Sequence, residues 1–303
     1  MSAAPGGSGA GASDGVSPLA GFLPDGEDVP RVGVVGHVDY VTFAVTDRIA
    51  GVGEITHARD TFDRAAGGGA VAAAQMAELA GTSLLLTALG NDELAKVAVD
   101  QLVARGVEVH AARHAGARTR RGWTFLTDDH ERTITMLDPR VVPSGSDPLP
   151  WHRCADLDAV YFTGGDAAAL RHARAARVLV ATARAGAVLY EAGIALDVLV
   201  ASSTDPGETF DAAALDPSPR LVVRTAGASG GAWESSDGAS GSWAASALPG
   251  PAVDSYGCGD AFAAALAYGL GEEMVLDDAL ARAARCGALV LTGRGPYGAM
   301  LSG

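Results

Sequence analysis

The sequence predicts an α/β protein in which a doubly wound, mainly parallel sheet is flanked by helices and accompanied by a small β-sheet. Short apolar runs alternate with helix-like segments along most of the chain. Two stretches alternate polar and apolar residues instead, and 303 residues of which 48% are hydrophobic can bury one large core. Repeated strand–helix units favour a parallel sheet with helices on its faces.

The folded part of the chain is expected over residues 31–303. Residues 1–30 are rich in Gly, Ala, Ser and Pro and show almost no periodicity, which predicts a flexible arm. The domain begins with "RVGVVG", a short apolar run ended by Gly36 and typical of a buried parallel strand. A glycine turn and a helix follow in "AAGGGAVAAAQMAELAG", and the strand–helix alternation returns after Pro139.

The small sheet is predicted from two stretches, "DRIAGVGEITHARDTF" and "RTRRGWTFLTDDHERTITML". Both alternate polar and apolar residues, as half-buried strands do. We therefore expect antiparallel strands within about 40–65 and 117–137, outside the main sheet.

Composition and charge restrict the partners. The formal net charge is −14, with 36 acidic against 22 basic residues, which disfavours a nucleic-acid partner. No apolar run approaches the roughly 20 residues of a membrane span, so no membrane partner is expected. Three widely spaced cysteines form neither a disulfide framework nor a zinc pattern, which favours a cytoplasmic location.

The stretch "DSYGCGDAF" holds the main candidate site. The backbone of Gly257, Cys258 and Gly259 leads into the first turn of a helix, where unpaired N–H groups attract an anion. Asp260 lies beside them, and the helix dipole is expected to keep its carboxylate ionised. A base next to an anion-binding turn suits phosphoryl transfer to an alcohol. The alternative is an aspartate that caps a helix after an ordinary glycine turn.

The stretch resembles the signature of the ribokinase-like (PfkB-type) carbohydrate kinase family, with Cys258 where that family usually has alanine. The resemblance runs from about residue 31 to the C-terminus. It implies that Asp39 in "GHVDYV" and the Gly67–Gly69 turn bind the sugar. The family's usual sugar-binding asparagine is replaced by Ala72 and Ala73, which puts ribose and fructose as substrates in doubt.

The cofactors follow from the same resemblance. Asp205 and Glu208 in "SSTDPGE" match the spacing of the family's Asn-x-x-Glu motif, which organises Mg²⁺, and the alternative is a polar turn. "VVRTAGASGG" resembles the nucleotide-binding strand and turn. The residues expected to face ATP are Thr225, Gly227 and Gly230. A monovalent cation such as K⁺ is a further possibility, bound near Asp254 and the C-terminal loop.

The resemblance also implies that the small sheet is a lid over the sugar and that two copies pair through it as a homodimer. An exposed sheet edge with apolar alternation invites such pairing. Arg120, Arg121 and Trp123 are the lid residues considered for substrate contact, although most of them are expected to be structural.

The expected function is therefore an ATP-dependent kinase that phosphorylates a hydroxymethyl group of a sugar or sugar-like alcohol. Asp260 is the expected general base and the Gly257–Gly259 turn the anion hole. Two alternatives stay open: a kinase for a nucleoside or a vitamin-like alcohol, and a non-catalytic small-molecule sensor on the same fold. A Rossmann oxidoreductase is disfavoured because "GVVGHVDYV" lacks the glycine fingerprint after its first strand.

Overall fold

The structure of the protein is a computed structural model that describes residues 29–128, 132–208 and 210–303. Of the predicted N-terminal arm, residues 1–28 lie outside the described residues. In chain order the strands are β1 (Val32–Val35), β2 (Asp39–Val45), β3 (Asp60–Ala66), β4 (Ser83–Gly90), β5 (Val107–His114), β6 (Arg121–Leu126), β7 (Arg132–Met136), β8 (Ala159–Phe162), β9 (Val178–Thr182), β10 (Val198–Ser202), β11 (Leu221–Thr225), β12 (Gly231–Ser235) and β13 (Ser240–Trp243). The α-helices are α1 (Gly68–Ala80), α2 (Glu93–Val103), α3 (Ala167–Ala173), α4 (Ala187–Ala192), α5 (Cys258–Gly271) and α6 (Leu276–Leu291).

The main sheet has nine strands in the order β13-β12-β11-β10-β9-β8-β1-β4-β5 within the described part of the chain. All neighbours from β11 to β5 run parallel, and only β12 and β13 are antiparallel. The predicted α/β class with a mainly parallel sheet is therefore confirmed. Since parallel strands share one direction, their carboxyl ends meet at a single edge of the sheet.

Helices cover both faces of this sheet. Along β1, Val34 packs with α1, α5 and α6, whereas its neighbour Val35 packs with α3 and α4 on the opposite face. In β8, Tyr161 packs on the same face as Val34, and Val160 packs on the same face as Val35. Successive side chains of a strand point to opposite faces, so continuous apolar runs belong to strands buried on both sides.

Among the described residues, the second sheet has four strands in the order β3-β2-β6-β7. The β2–β3 and β6–β7 pairs are antiparallel, but β2 and β6 run parallel, which the sequence pattern did not predict. The first of the two stretches expected to form strands is mostly not a strand, because β3 begins only at Asp60. Residues 46–59 form an irregular loop that leaves Val52 and Ile55 exposed. Gly53 has φ 81° there, a left-handed conformation that interrupts a strand.

The second sheet lies over the start of α5. Phe43 in β2 stacks on Phe62 in β3, with ring centroids 4.9 Å apart, and meets the ring of Tyr256 edge-on at 5.0 Å. Arg132 in β7 donates to the carbonyl oxygen of Ser255 at 2.9 Å. These contacts position the sheet above the residues that lead into α5.

Candidate active site

The candidate site lies where the carboxyl ends of the parallel strands meet. Polar groups follow the strands in the order of the sheet: His37 after β1, Thr163 after β8, Arg184 after β9, Glu208 after β10 and Gly227 after β11. They form a row along one edge, the usual position of ligand sites in open α/β sheets.

Asp260 lies in the first turn of α5, beside an open glycine turn. Gly257 precedes the helix with φ 87°, and no side chain caps the helix start. Within the described chain, the N–H groups of Gly257, Cys258 and Gly259 donate to no protein acceptor. A Cβ placed on Gly259 would meet no atom within 4 Å, so the turn is open. The arrangement can bind an anion next to a carboxylate.

The Gly67–Gly69 turn brings two carboxylates to one place. A Cβ on Gly68 would lie 2.8 Å from Asp260 Oδ1, and one on Gly67 would lie 3.0 Å from Asp39 Oδ2. A Cβ on Gly69 would lie 2.7 Å from the carbonyl oxygen of His37. Only glycine permits this close approach, so the turn separates Asp39 on one side from Asp260 on the other.

Asp39 and His37 are buried, and each has an atom without a protein partner. Asp39 Oδ2 lies 3.7 Å from Arg120 Nη1, while Asp39 Oδ1 has no hydrogen-bond partner among the described residues. His37 Nε2 accepts from the N–H of Gly68 at 3.3 Å, which assigns the ring proton to Nδ1. That Nδ1 atom is also buried and unpartnered within the described chain. Buried polar atoms of this kind are usually satisfied by a bound molecule or water.

Burial controls the charges of these groups. It lowers the pKa of His37 to about 3, with the positive charges of Arg140 and Arg120 acting in the same direction. His37 is therefore neutral at pH 7, and its 3.7 Å contact with Asp39 is not an ion pair. Burial raises the pKa of Asp39 to about 6, and Arg120 opposes that rise.

The pKa of Asp260 is also raised to about 6, first by its withdrawal from water, with Arg184 opposing the rise and Glu208 adding to it. The helix-dipole argument accounts for only part of its environment, because withdrawal from water also acts on the carboxylate and raises its pKa. The carboxylate is still ionised above about pH 6, as a general base near neutral pH requires.

Asp205 and Glu208 converge on one guanidinium. Arg184 Nε donates to Glu208 Oε1 at 3.0 Å, and Arg184 also pairs with Asp205. The other two carboxylate oxygens accept from the N–H of Gly207 and the N–H of Ser202. Among the described residues, no group of three His, Cys, Asp or Glu could hold a metal ion. The carboxylates can bind Mg²⁺ through its water ligands, since direct coordination would displace Arg184.

The turn after β11 has an exposed part and a buried part. Gly227 is exposed with φ 55°, and nothing lies within 4 Å of a Cβ built on it. Gly230 is buried, and a Cβ there would lie 2.1 Å from the carbonyl oxygen of Trp243. Packing alone therefore requires glycine at position 230. Thr225 ends β11 and is partly exposed beside them.

Three other residues from the sequence analysis have local roles here. Arg121 pairs with Asp138, and Trp123 is exposed on the outer face of the second sheet. Asp254 is buried and accepts from the N–H groups of Tyr256 and Gly295, each at 2.8 Å. Cys258 is half-buried, and desolvation raises the pKa of its thiol to about 12, opposite to the lowering that activates a thiol at a helix start.

The sequence analysis missed four residues of the site. Arg140 and Arg184 carry positive charge into it, and the hydroxyl oxygen of Tyr256 accepts from the N–H of Gly67 at 3.2 Å. Thr163 has a buried hydroxyl without a partner in the described chain, beside Gly68. Tyr256 lies inside the "DSYGCGDAF" motif and could have been included, whereas the arginines have no motif of their own.

Comparison with known proteins gives a family match and many similar structures. The profile described as "pfkB family carbohydrate kinase" matches residues 30–200 and 195–301. A ribokinase from Arabidopsis thaliana, solved with ribose and ATP, is 20% identical over 88% of this chain and 94% of its own, with a TM-score of 0.71. The Thermotoga maritima ribokinase is 18% identical over 90% of this chain and 96% of its own, with a TM-score of 0.73. An adenosine kinase from Sinorhizobium meliloti is 18% identical over 88% of this chain and 95% of its own, with a TM-score of 0.71. A search of curated proteins finds no match.

Proposed function

Because the chain belongs to the pfkB family of carbohydrate kinases, we propose that it transfers the γ-phosphoryl group of ATP to a hydroxymethyl group of a sugar or sugar-like alcohol. One observation carries the proposal: the Asp260 carboxylate approaches the Gly67–Gly69 turn, directly beside the open amides of Gly257, Cys258 and Gly259. A base, an acceptor-binding turn and an anion-binding turn then meet at one point.

The reaction requires one proton transfer and one displacement. Asp260 accepts the proton of the acceptor hydroxyl, whose oxygen forms a bond to the γ-phosphorus as the bond from phosphorus to the ADP oxygen breaks. The amides of Gly257, Cys258 and Gly259 donate to the transferring oxygens, where negative charge is concentrated. With a pKa of about 6, Asp260 is ionised at pH 7 and basic enough to take the proton.

The acceptor end of the cleft consists of His37, Asp39 and Gly67–Gly69. The free Oδ1 atom of Asp39 accepts from an acceptor hydroxyl, and the free Nδ1–H of His37 donates to an acceptor oxygen. The second sheet covers this end, which limits the access of water to the γ-phosphoryl group. The Arabidopsis neighbour, solved with ribose and ATP, supports a sugar and a nucleotide as the two ligands.

The phosphate end of the cleft consists of Arg184, Asp205 and Glu208. We assign Asp205 and Glu208 to Mg²⁺ through its water ligands, and Thr225, Gly227 and Gly230 to the nucleotide, with Gly230 acting through the shape of the turn. Magnesium would supply positive charge between the phosphates. A monovalent cation such as K⁺ would bind near Asp254 with backbone carbonyls among its ligands, because each Asp254 carboxylate oxygen already accepts one N–H group.

The outer face of the second sheet supports a homodimer. Trp123 is 52% exposed there, Phe125 lies two residues along the same strand, and β3 and β7 are the edge strands. Sedimentation of the wild-type chain should therefore give a dimer that Trp123→Ser weakens, and a monomeric wild type would rule it out.

We also propose a cytoplasmic location, which fits the three free cysteines. In the described chain, no helix is long and apolar enough to cross a membrane.

ATP consumption across a panel of sugars, nucleosides and polyols tests the proposed function. A kinase consumes one ATP per acceptor phosphorylated, whereas a sensor binds its ligand and leaves ATP intact. The adenosine kinase neighbour makes nucleosides the principal alternative acceptors, so the panel includes adenosine and its analogues. Ligand binding by thermal shift without any ATP turnover would support the sensor instead.

A further inference from the structure

Two arginines at the acceptor end make no hydrogen bond to a carboxylate among the described residues. The side chain of Arg120 is 15% exposed, and its nearest carboxylate oxygen is Asp39 Oδ2, 3.7 Å away and beyond hydrogen-bond distance. Arg120 otherwise donates from Nε to the carbonyl oxygen of Asp138 at 3.3 Å. Its Nη atoms make no hydrogen bond within the described residues, so they remain free for a ligand.

Arg140 is the second of these arginines. It is exposed, and in the described part of the chain it has neither a hydrogen bond nor an ion pair. Its segment crosses the acceptor end: Asp138 accepts from Arg120, and two residues after Arg140 the side chain of Val142 reaches Gly164. A Cβ on Gly164 would lie 3.6 Å from Val142 Cγ1 and 3.4 Å from His37 Nδ1. Residues 138–142 therefore pass beside His37.

Electrostatics agrees with this placement. The positive charge of Arg140 opposes the rise in pKa of both Asp39 and Asp260, so its guanidinium acts on both carboxylates. Arg120 in turn helps to lower the pKa of Arg140, because two guanidiniums close together repel each other. An anion between them would relieve that repulsion.

The other arginines nearby are already neutralised or engaged. Arg121 pairs with Asp138, and Arg132 donates to Ser255. Arg184 pairs with both carboxylates of the phosphate end. The acceptor end therefore holds two guanidiniums that hydrogen-bond to no carboxylate among the described residues, near the carboxylates of Asp39 and Asp260. Guanidinium N–H groups without such a partner are available to an anionic ligand.

We propose that the acceptor carries an anionic oxygen group, a carboxylate or a phosphate ester, which Arg120 and Arg140 bind while its free hydroxymethyl group faces Asp260. Both anions match the planar fork of a guanidinium, whose N–H groups can donate in pairs. The proposal rests on the proposed function, because it names the substrate class of the same site. It also agrees with the loss of the family's sugar-binding asparagine, whose place is taken by the buried Ala72 and Ala73. An acceptor bound through its charge does not need the side-chain amide of that asparagine.

Two matched pairs of acceptors test the proposal: D-gluconate against D-glucitol, and D-fructose 6-phosphate against D-fructose. Each pair differs in the anionic group and retains a hydroxymethyl group. In wild type, kcat/KM for an anionic member should exceed that of its neutral partner by about 10-fold to 100-fold, the discrimination typical of charge-assisted hydrogen bonds. The first pair reports a carboxylate and the second a phosphate ester. Equal or better use of both neutral partners would overturn the proposal.

Variants identify the residue responsible. Arg140→Gln should abolish the discrimination while leaving KM for ATP unchanged, and Arg140→Lys should retain part of it. Arg31→Gln is the matched control, because Arg31 is exposed before β1 at the opposite edge of the sheet and pairs only loosely with Asp158. If Arg140→Gln raises KM for ATP and leaves the discrimination intact, Arg140 binds the nucleotide and the proposal is wrong.

Binding separates this proposal from the proposed function. If wild type phosphorylates none of the four compounds, kinase activity on them fails, and thermal shift decides the anion site. A rise in Tm with gluconate or fructose 6-phosphate that neither neutral partner produces, and that Arg140→Gln loses, would support the anion site on its own. No rise in Tm with either anion would overturn it.

Discussion

At the acceptor end of the cleft, Asp39 and His37 each keep a buried polar atom without a partner in the described chain, whereas at the phosphate end Arg184 engages both Asp205 and Glu208. The two ends lie on the same sheet edge, at β1 and at β9 and β10. One end therefore lacks partners that a ligand could supply, and the other is largely satisfied before any ligand binds.

The difference indicates how the cleft would recognise its two substrates. Buried polar atoms without partners destabilise the free protein, and only a ligand that hydrogen-bonds to them removes this cost. We therefore expect the acceptor end to discriminate between acceptors. At the phosphate end the hydrogen bonds and ion pairs of Arg184, Asp205 and Glu208 hold the charges in place for any nucleotide that brings its own magnesium. Asp260 lies between the acceptor end and the phosphate end. Charges at both ends affect it, since Arg140 and Arg184 each oppose the rise of its pKa.

Among substitutions that leave Asp39 and Asp260 in place, Gly68→Ala should have the largest effect on activity. The added Cβ would lie 2.8 Å from Asp260 Oδ1, so the carboxylate must move away from the acceptor. We expect kcat/KM to fall by about 100-fold, the cost of misplacing a reacting group by an ångström, with Tm little changed. Gly250→Ala is the control, because a Cβ there meets nothing within 4 Å. Full activity in Gly68→Ala would mean that Asp260 does not act from its observed position.

Arg184→Gln should shift a pH profile. The acid limb of kcat/KM in wild type should lie near pH 6, where ionisation of Asp260 restores activity as the pH rises. Because Arg184 lowers the pKa of Asp260, removing its charge raises that pKa, and the limb should move to higher pH.

The same variant distinguishes the two carboxylates. Arg184 is not among the main influences on the pKa of Asp39, so a limb set by Asp39 should not move. Arg31→Gln is the control and should not change the pH of the acid limb, which would show that losing an arginine elsewhere does not shift it. An unmoved limb in Arg184→Gln would assign the activity-controlling ionisation to a group other than Asp260.

Cys258→Ala should have the smallest effect. Its thiol has a pKa raised to about 12 by burial, so at pH 7 it is protonated and unreactive, and its contribution is its backbone N–H. We expect kcat/KM within about twofold of wild type and no rapid reaction of native protein with a thiol reagent. Rapid labelling of one thiol that Cys258→Ala removes would contradict this role.

Much of the fold and part of the site could be predicted from local sequence. Apolar runs buried on both faces mark the parallel strands. Gly67–Gly69 and Gly257 mark the turns, because a close approach or a positive φ requires glycine there. The irregular loop over 46–59 was missed because its apolar residues alternate as in a strand but are exposed, a property that periodicity does not contain.

The charges of the site depend on distant parts of the chain. Arg120 directly precedes β6, Arg140 lies in the loop after β7 and Arg184 follows β9, so only tertiary structure brings them near Asp39 or Asp260. The predicted ionisation of Asp260 agrees with a pKa of about 6, but the sequence did not indicate that this pKa is raised. The helix start is local and visible in the sequence, whereas the burial that raises the pKa is not.

Single-turnover phosphoryl transfer by Asp260→Asn, with an acceptor identified by the panel, tests the central assignment most directly. The amide cannot accept the hydroxyl proton, so the rate should fall by about 10²-fold to 10⁴-fold while the Kd for ATP stays near that of wild type. Asp277→Asn is the control, since Asp277 occupies the first turn of α6 and is exposed. A near-normal transfer rate in Asp260→Asn would contradict the account.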